Sequence, residues 1–233
     1  MPSESPRVWT RRCDGIDELK RGSFVEDIVN ALEKSILMCM YIAGVSNKTL
    51  EDVIQEKHII AQSAIDSKIG RLIKNNLVNK DRETLTELGR NSLRVVLAGG
   101  VFDIIHPGHI HTLNAAKVLG DVLVVVVATD NTAVKMKKRN PLHDQEQRQE
   151  LVNSLTMVDF SLVGQEDDIF KTVNIVRPQI IALGYDQVHQ EKFIVDGCKR
   201  INLDASVARL QSPIPESSSS KIQKEYGKSI HGI

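Results

Sequence analysis

The chain of 233 residues is poor in aromatics: Phe, Tyr and Trp together make up 4%, with one tryptophan. No cluster of them marks a pocket for stacking a flat ligand. Its three cysteines, Cys13, Cys39 and Cys198, are widely spaced, which excludes a disulfide framework and the paired-cysteine patterns of zinc and redox sites. Neither sign of charge is in excess, since 30 basic residues balance 30 acidic ones. Composition therefore demands neither a nucleic-acid nor a membrane partner. The apolar run Ile36 to Val45 is too short to cross a bilayer, and the polar N-terminal stretch does not read as a signal peptide. A cytoplasmic protein is expected. Two familiar glycine-rich loops are also missing: there is no G-x-G-x-x-G fingerprint and no Walker-A lysine. With 41% hydrophobic and 26% charged residues, the chain nevertheless has the balance of a globular protein.

Its length allows two small domains, and the pattern changes near residue 92. Residues 1–21 read as a flexible polar tail. Residues 22–92 then carry three helical patterns. In the first, Phe24, Ile28, Leu32, Ile36 and Met40 step by four along one face. The second follows Asn47 with Leu50, Val53 and Ile54, and the third places Ile65, Ile69, Leu72 and Ile73 on its buried stripe. Two short β runs around the polar turn Lys80-Asp81-Arg82 come next. Three helices and a small hairpin resemble a winged helix-turn-helix domain. On that reading Ser63, Ser67, Lys68 and Arg71, with Lys80 and Arg82 at the wing tip, would face DNA. The same domain is equally compatible with a homodimer interface, because fold does not fix function.

Residues 93–233 alternate strand and helix. Strands are expected at Leu93–Ala98, Val122–Val127, Phe160–Val163, Gln179–Leu183 and Ser206–Leu210. Helices are expected near 144–155, 169–176 and 191–201. Such alternation predicts an α/β domain with a Rossmann-like parallel sheet and ligands at the carboxyl ends of its strands.

The first of these strands ends in the most informative stretch, Gly99-Gly100-Val101-Phe102-Asp103-Ile104-Ile105-His106-Pro107-Gly108-His109. Gly99 and Gly100 let a ligand approach the main chain. His106 suits an N-cap and Pro107 the first helical position. Gly108 leaves room, and His109 completes the turn. Backbone N–H groups and the helix dipole at such a turn attract anions, so the stretch predicts phosphate binding with two imidazoles beside it. A metal site built on His106, His109 and His111 is the alternative reading. Downstream, Lys135, Lys137, Lys138 and Arg139 form a basic loop able to neutralise phosphates. Asp186, in Gly184-Tyr185-Asp186-Gln187, can accept hydrogen bonds. Ser218, Ser219, Ser220 and Lys221 precede a final helix whose start can hold terminal phosphates.

The stretch from Gly99 to His109 resembles the G-x-F-D-x-x-H-x-G-H motif of the cytidylyltransferase-like nucleotidyltransferases, and the likeness extends over residues 93–226. Within them the chain is most similar to the archaeal FAD synthases, which transfer AMP from ATP to FMN. The resemblance implies His106, His109, Lys135 and Lys138 as catalytic residues. It implies nucleotide contacts from Gly99, Gly100, Val101, Phe102, His106, Pro107, Gly108, His109, Asp186, Ser218, Ser219, Ser220 and Lys221. Arg148, in a Gln-Arg pair like the family's, would reach a substrate phosphate. Mg²⁺ or another divalent cation would accompany ATP. Glycerol-3-phosphate cytidylyltransferase and phosphopantetheine adenylyltransferase activities are the nearest alternatives. A flavin- or nucleotide-sensing DNA-binding regulator is a third.

Overall fold

The computed structural model describes residues 9–11, 29–57, 62–211, 221–222 and 225. They fall into two compact units, one of residues 14–94 and one of residues 1–13 with 95–233.

In the smaller unit, helix α1 spans Ala31–Ser46, α2 Leu50–Glu56, α3 Gln62–Lys74 and α4 Glu87–Asn91. The stripe predicted from Phe24 enters the described residues at α1. There Asn30 and Glu33 form a reciprocal capping box that starts the helix by satisfying its first N–H groups. In place of a two-stranded wing there is one isolated antiparallel bridge, Val78 to Leu85. Asp81 accepts from the backbone N–H groups of Glu83 and Thr84 at the turn between them, which ties the polar residues into a turn rather than a ladder. Three of the four cations expected to face DNA have acidic neighbours. Lys68 and Arg71 lie 3.7 and 3.5 Å from the buried Glu33, and Arg82 lies 2.8 Å from Asp66.

The larger unit is built on six strands: β1 Trp9–Arg11, β2 Val95–Gly100, β3 Val122–Val127, β4 Phe160–Val163, β5 Ile180–Leu183 and β6 Ser206–Arg209. Their order is β1-β6-β5-β2-β3-β4. Strands β2 to β6 are parallel, and β1 adds an antiparallel edge with Trp9 opposite Arg209. Part of the segment expected to be a flexible tail is thus an edge strand. Between strands run α5 Pro107–Lys117, α6 Asp130–Lys137, α7 Gln145–Asn153, α8 Ile169–Val176, a 3₁₀ turn Tyr185–Gln190 and α9 Glu191–Arg200.

Strand β3 reads Val-Leu-Val-Val-Val-Val and is buried along almost its whole length, as a strand covered on both faces requires. Val96 and Ala98 of β2, Leu123, Val125 and Val127 of β3, Leu113 and Ala116 of α5 and Val152 of α7 form one core cluster. Each fully buried Val or Leu contributes about 1.5–3 kcal/mol relative to exposure, so this cluster fixes α5 against the central strands. From β2 the chain runs outward through β3 to β4, then crosses back to the other side of β2 as β5 and continues outward to β6. That divergence is the switch point at which open parallel sheets bind ligands.

Candidate active site

The site is assembled at the carboxyl end of β2. After Gly100 the chain turns through Val101, Phe102 and Asp103, all buried. Phe102 holds φ at 53°, a left-handed conformation that costs a bulky residue about 1–3 kcal/mol. The turn directs the Phe102 ring under His109, with centroids 5.1 Å apart and a 51° tilt. Gly100 leaves space for that ring, because a Cβ there would stand 3.0 Å from Phe102 Cε2 and Cζ.

His106 then caps α5 in extended conformation, with Pro107 following and no side-chain capping bond. The backbone N–H groups of His109 and Ile110 return to the His106 carbonyl at 2.9 and 3.3 Å. Since His106 does not use its side chain to cap, its ring stacks on that of His109, centroids 3.9 Å apart at 27°. The Nδ1 atoms of both rings are buried and have no hydrogen-bond partner among the described residues.

Burial lowers the pKa of His106, with a smaller contribution from the Lys137 cation. His109 falls to about 4, through burial first and then the neighbouring His106 and Lys137, against a raising backbone hydrogen bond to Ile104. Burial thus favours the neutral form of both imidazoles, and the pair stands at a helix N-terminus, whose dipole favours an anion. A hollow of about 390 Å³, lined by Ile105, His106, Pro107, Ile110 and His111, opens beside His106.

The basic loop expected after β3 is instead a helix. Thr129 caps α6 through the Thr132 N–H, and Lys138 ends it at φ 58°. That geometry sorts the cations: Lys135 and Lys138 are exposed, whereas Lys137 is half-buried and its charge acts on both histidines. Lys137, lying between the two lysines predicted, is therefore the cation whose charge reaches the pair. Arg139 turns inward, its Nη1 2.7 Å from the Asp103 carboxylate.

Arg148 lies elsewhere than expected. It is fully buried, and its guanidinium donates to the carbonyls of Val101 at 2.6 Å and His143 at 3.1 Å and to Asp130 Oδ1 at 2.7 Å. It ties together the loops that follow β2, begin α6 and precede α7. A phosphate contact would require the guanidinium to leave these acceptors. Helix α7 presents this position to the protein interior and not to solvent.

Gln187 makes a comparable link. Its Oε1 accepts from the Gly184 N–H at 3.0 Å and its Nε2 donates to the Gly99 carbonyl at 3.3 Å, joining the ends of β5 and β2. The Asp186 side chain and Ser218, Ser219 and Ser220 lie outside the described residues, and Lys221 is exposed at a helical position. Among the described residues no group of three or more histidine, cysteine, aspartate or glutamate side chains is placed to hold a metal. No described helix is long and apolar enough to cross a membrane.

Comparison with known proteins places this geometry. The cytidylyltransferase-like family model matches residues 97–225, more than half of the sequence, and the chain belongs to that family. More particularly, it is 50% identical over 115 residues to an FAD synthase of Picrophilus torridus, covering 49% of this chain and 82% of that protein. With an FAD synthase of Aciduliprofundum boonei it shares 47% identity over 116 residues, covering 50% and 77%. A crystal structure described as a lipopolysaccharide core biosynthesis protein of Thermoplasma volcanium is 42% identical. The match covers 52% of this chain and 98% of that one at a TM-score of 0.49. The family match begins after the smaller unit and does not extend to it.

Proposed function

We propose that this chain is an FMN adenylyltransferase, making FAD and pyrophosphate from ATP and FMN. The observation that carries the transfer chemistry is the stacked pair His106 and His109 at the start of α5, whose buried Nδ1 atoms have no hydrogen-bond partner among the described residues, with Lys137 beside it. FMN as acceptor and ATP as donor are supported by the similarity to FAD synthases at 50% and 47% identity.

In the reaction, an oxygen of the FMN phosphate forms a bond to the α-phosphorus of ATP. The bond from that phosphorus to the oxygen bridging the β-phosphate breaks, and pyrophosphate leaves with the electron pair. The attacking phosphate is already an anion, so no protein base or nucleophile is needed. The chain's own groups position the reactants and stabilise charge. His106 and His109 hydrogen-bond the transferring phosphoryl oxygens, the N-terminus of α5 faces the same charge, and Lys137 neutralises part of the triphosphate. Strained Phe102 and buried Arg148 hold the loops that carry these groups. The divalent cation enters with the substrate as MgATP, where phosphate oxygens supply ligands to it.

The test is incubation of purified protein with Mg²⁺, crossing ATP and CTP with FMN, glycerol 3-phosphate and phosphopantetheine. FAD and pyrophosphate are expected from ATP with FMN alone. Release only with CTP or only with another acceptor would replace this assignment. Binding of ATP or FMN without any pyrophosphate would favour a sensor.

A further inference from the structure

Asp103 carries an acidic side chain into the interior, at 2% exposure. A buried carboxylate is costly unless paired, and its partners all come from the turn that follows α6. Its Oδ1 accepts from the Leu142 N–H at 2.6 Å. Its Oδ2 lies 2.7 Å from Arg139 Nη1, and its own carbonyl lies 3.3 Å from His143 Nδ1. The contact with Arg139 is an ion pair and not a hydrogen bond, because Oδ2 and the Arg139 Nη2 have no hydrogen-bond partner among the described residues. Arg139 Nη1 donates to the Asn140 carbonyl at 3.0 Å, and the Asp103 charge is the side-chain contact that draws the guanidinium inward. Lys137 is two residues before Arg139, across the left-handed Lys138 that ends α6. The place of Lys137 is thus fixed on one side by α6 and on the other by the Arg139 anchor.

We propose that Asp103 is a positioning residue for the transfer reaction, fastening residues 138–143 to the loop after β2 and thereby holding the end of α6 from which the Lys137 charge acts on His106 and His109. The inference rests on the nucleotidyl-transfer reading for its consequence but not for its geometry. It explains why an acidic residue stands three positions before His106, in a site that must attract polyanions. The carboxylate is turned away from the ligand and neutralised by Arg139, and its effect on the site is the placement of a cation.

The free protein provides a test independent of activity. Burial lowers the titration of both histidines, the Lys137 charge lowers it further, and His106 adds to the shift at His109. If Asp103 places Lys137, then Asp103→Ala should move the titration of His106 and His109 upward in the apo protein, followed by NMR of the ring carbons. Lys137→Met should move it the same way, and the double variant no further. Asp103→Asn, which keeps an acceptor for Leu142 but loses the charge facing Arg139, is the fallback should Asp103→Ala not fold, and should show a smaller upward shift. Loss of a merely structural contact would lower the melting temperature and leave the histidine titration unmoved. A direct field effect of removing a carboxylate would move it downward. Either result in a folded variant overturns the proposal, as does an unmoved titration in Lys137→Met. Turnover in Asp103→Ala should fall about 10²-fold, the scale of a small misplacement in a positioned site. An inactive wild-type protein would count against the proposed reaction while leaving the titration result standing.

Discussion

The rings of His106 and His109 stack 3.9 Å apart at the first turn of α5, and each leaves a buried Nδ1 without a hydrogen-bond partner among the described residues. Three residues of helix bring i and i+3 onto one face, and the extended backbone of His106 brings its ring over the turn instead of into a capping bond. A polar atom buried without a partner is unfavourable unless a ligand completes it. Replacing either histidine by alanine should lower the rate of pyrophosphate release about 10²–10³-fold, the cost typical of losing one stabilising donor. Circular dichroism and melting should stay close to the parent. A folded double variant with near-parental turnover would remove the pair from the mechanism.

The low pKa of His109 has a measurable sign. Its ordinary value of 6.5 is lowered to about 4 in the folded chain, so the unfolded chain takes up the proton first as pH falls. The stability associated with neutral His109 is complete above about 6.5 and is lost as pH drops toward about 4. An NMR titration of the free protein should place the His109 midpoint near 4. Adding pyrophosphate should raise it, because an anion beside the ring favours the imidazolium. A midpoint near 6.5 in the free protein would show that the ring is not buried in solution.

Among the four cations of residues 135–139, Lys137 is expected to dominate. Lys137→Met should reduce turnover with ATP about 10–10²-fold, whereas Lys135→Met and Lys138→Met, both at exposed positions, should stay within a factor of about three, the range of exposed charge effects. Steady-state rates at fixed ionic strength would decide. Equal losses from all three would mean a diffuse basic field with no placed cation.

The difference between these lysines shows where sequence reading reached its limit. The Val/Leu runs announced the parallel strands, and β3 falls at its expected ends because burial on both faces leaves a continuous apolar signature; β4 and α8 fall at theirs as well. The turn from Gly99 to His109 was legible because its residue types are dictated by backbone geometry. Helix α6 was not, since Ala133 is its one buried residue and so few apolar positions give no stripe. Its Thr129 cap was nonetheless present as a signal, as was the Asn30 and Glu33 pair that starts α1. The partners of Arg148, Asp103 and Gln187 are mostly backbone groups remote in sequence, such as Val101, Leu142 and Gly99, and no local periodicity encodes a carbonyl 47 positions away.

Gly100 can be tested through its neighbour. A Cβ at this position would come within 3.0 Å of the Phe102 ring, and that ring supports His109. Gly100→Ala should displace the ring by a few tenths of an ångström and lower turnover about tenfold or more, with little change in the affinity for ATP measured by calorimetry. Unchanged turnover would show that the Phe102 and His109 contact does not set the geometry of the pair.

Arg148 gives the clearest stability prediction. Removing its guanidinium in Arg148→Met leaves the carbonyls of Val101 and His143 without their donor, and each buried group left unpaired costs about 1–3 kcal/mol. The ion pair to Asp130 matters less, because the Asp130 side chain is 43% exposed and pairs that reach solvent contribute about 0–1 kcal/mol. Carbonyl desolvation therefore outweighs the salt bridge. Urea unfolding of Arg148→Met should show a loss of about 2–4 kcal/mol, while Asp130→Asn should lose about 1 kcal/mol or less. The two orders of loss separate the explanations. A deficit in Asp130→Asn as large as that in Arg148→Met would make the ion pair the principal contact. A deficit dominated by Arg148→Met, accompanied by reduced turnover, would identify the arginine as the tie that keeps the loops after β2 and β3 in register with the histidine pair.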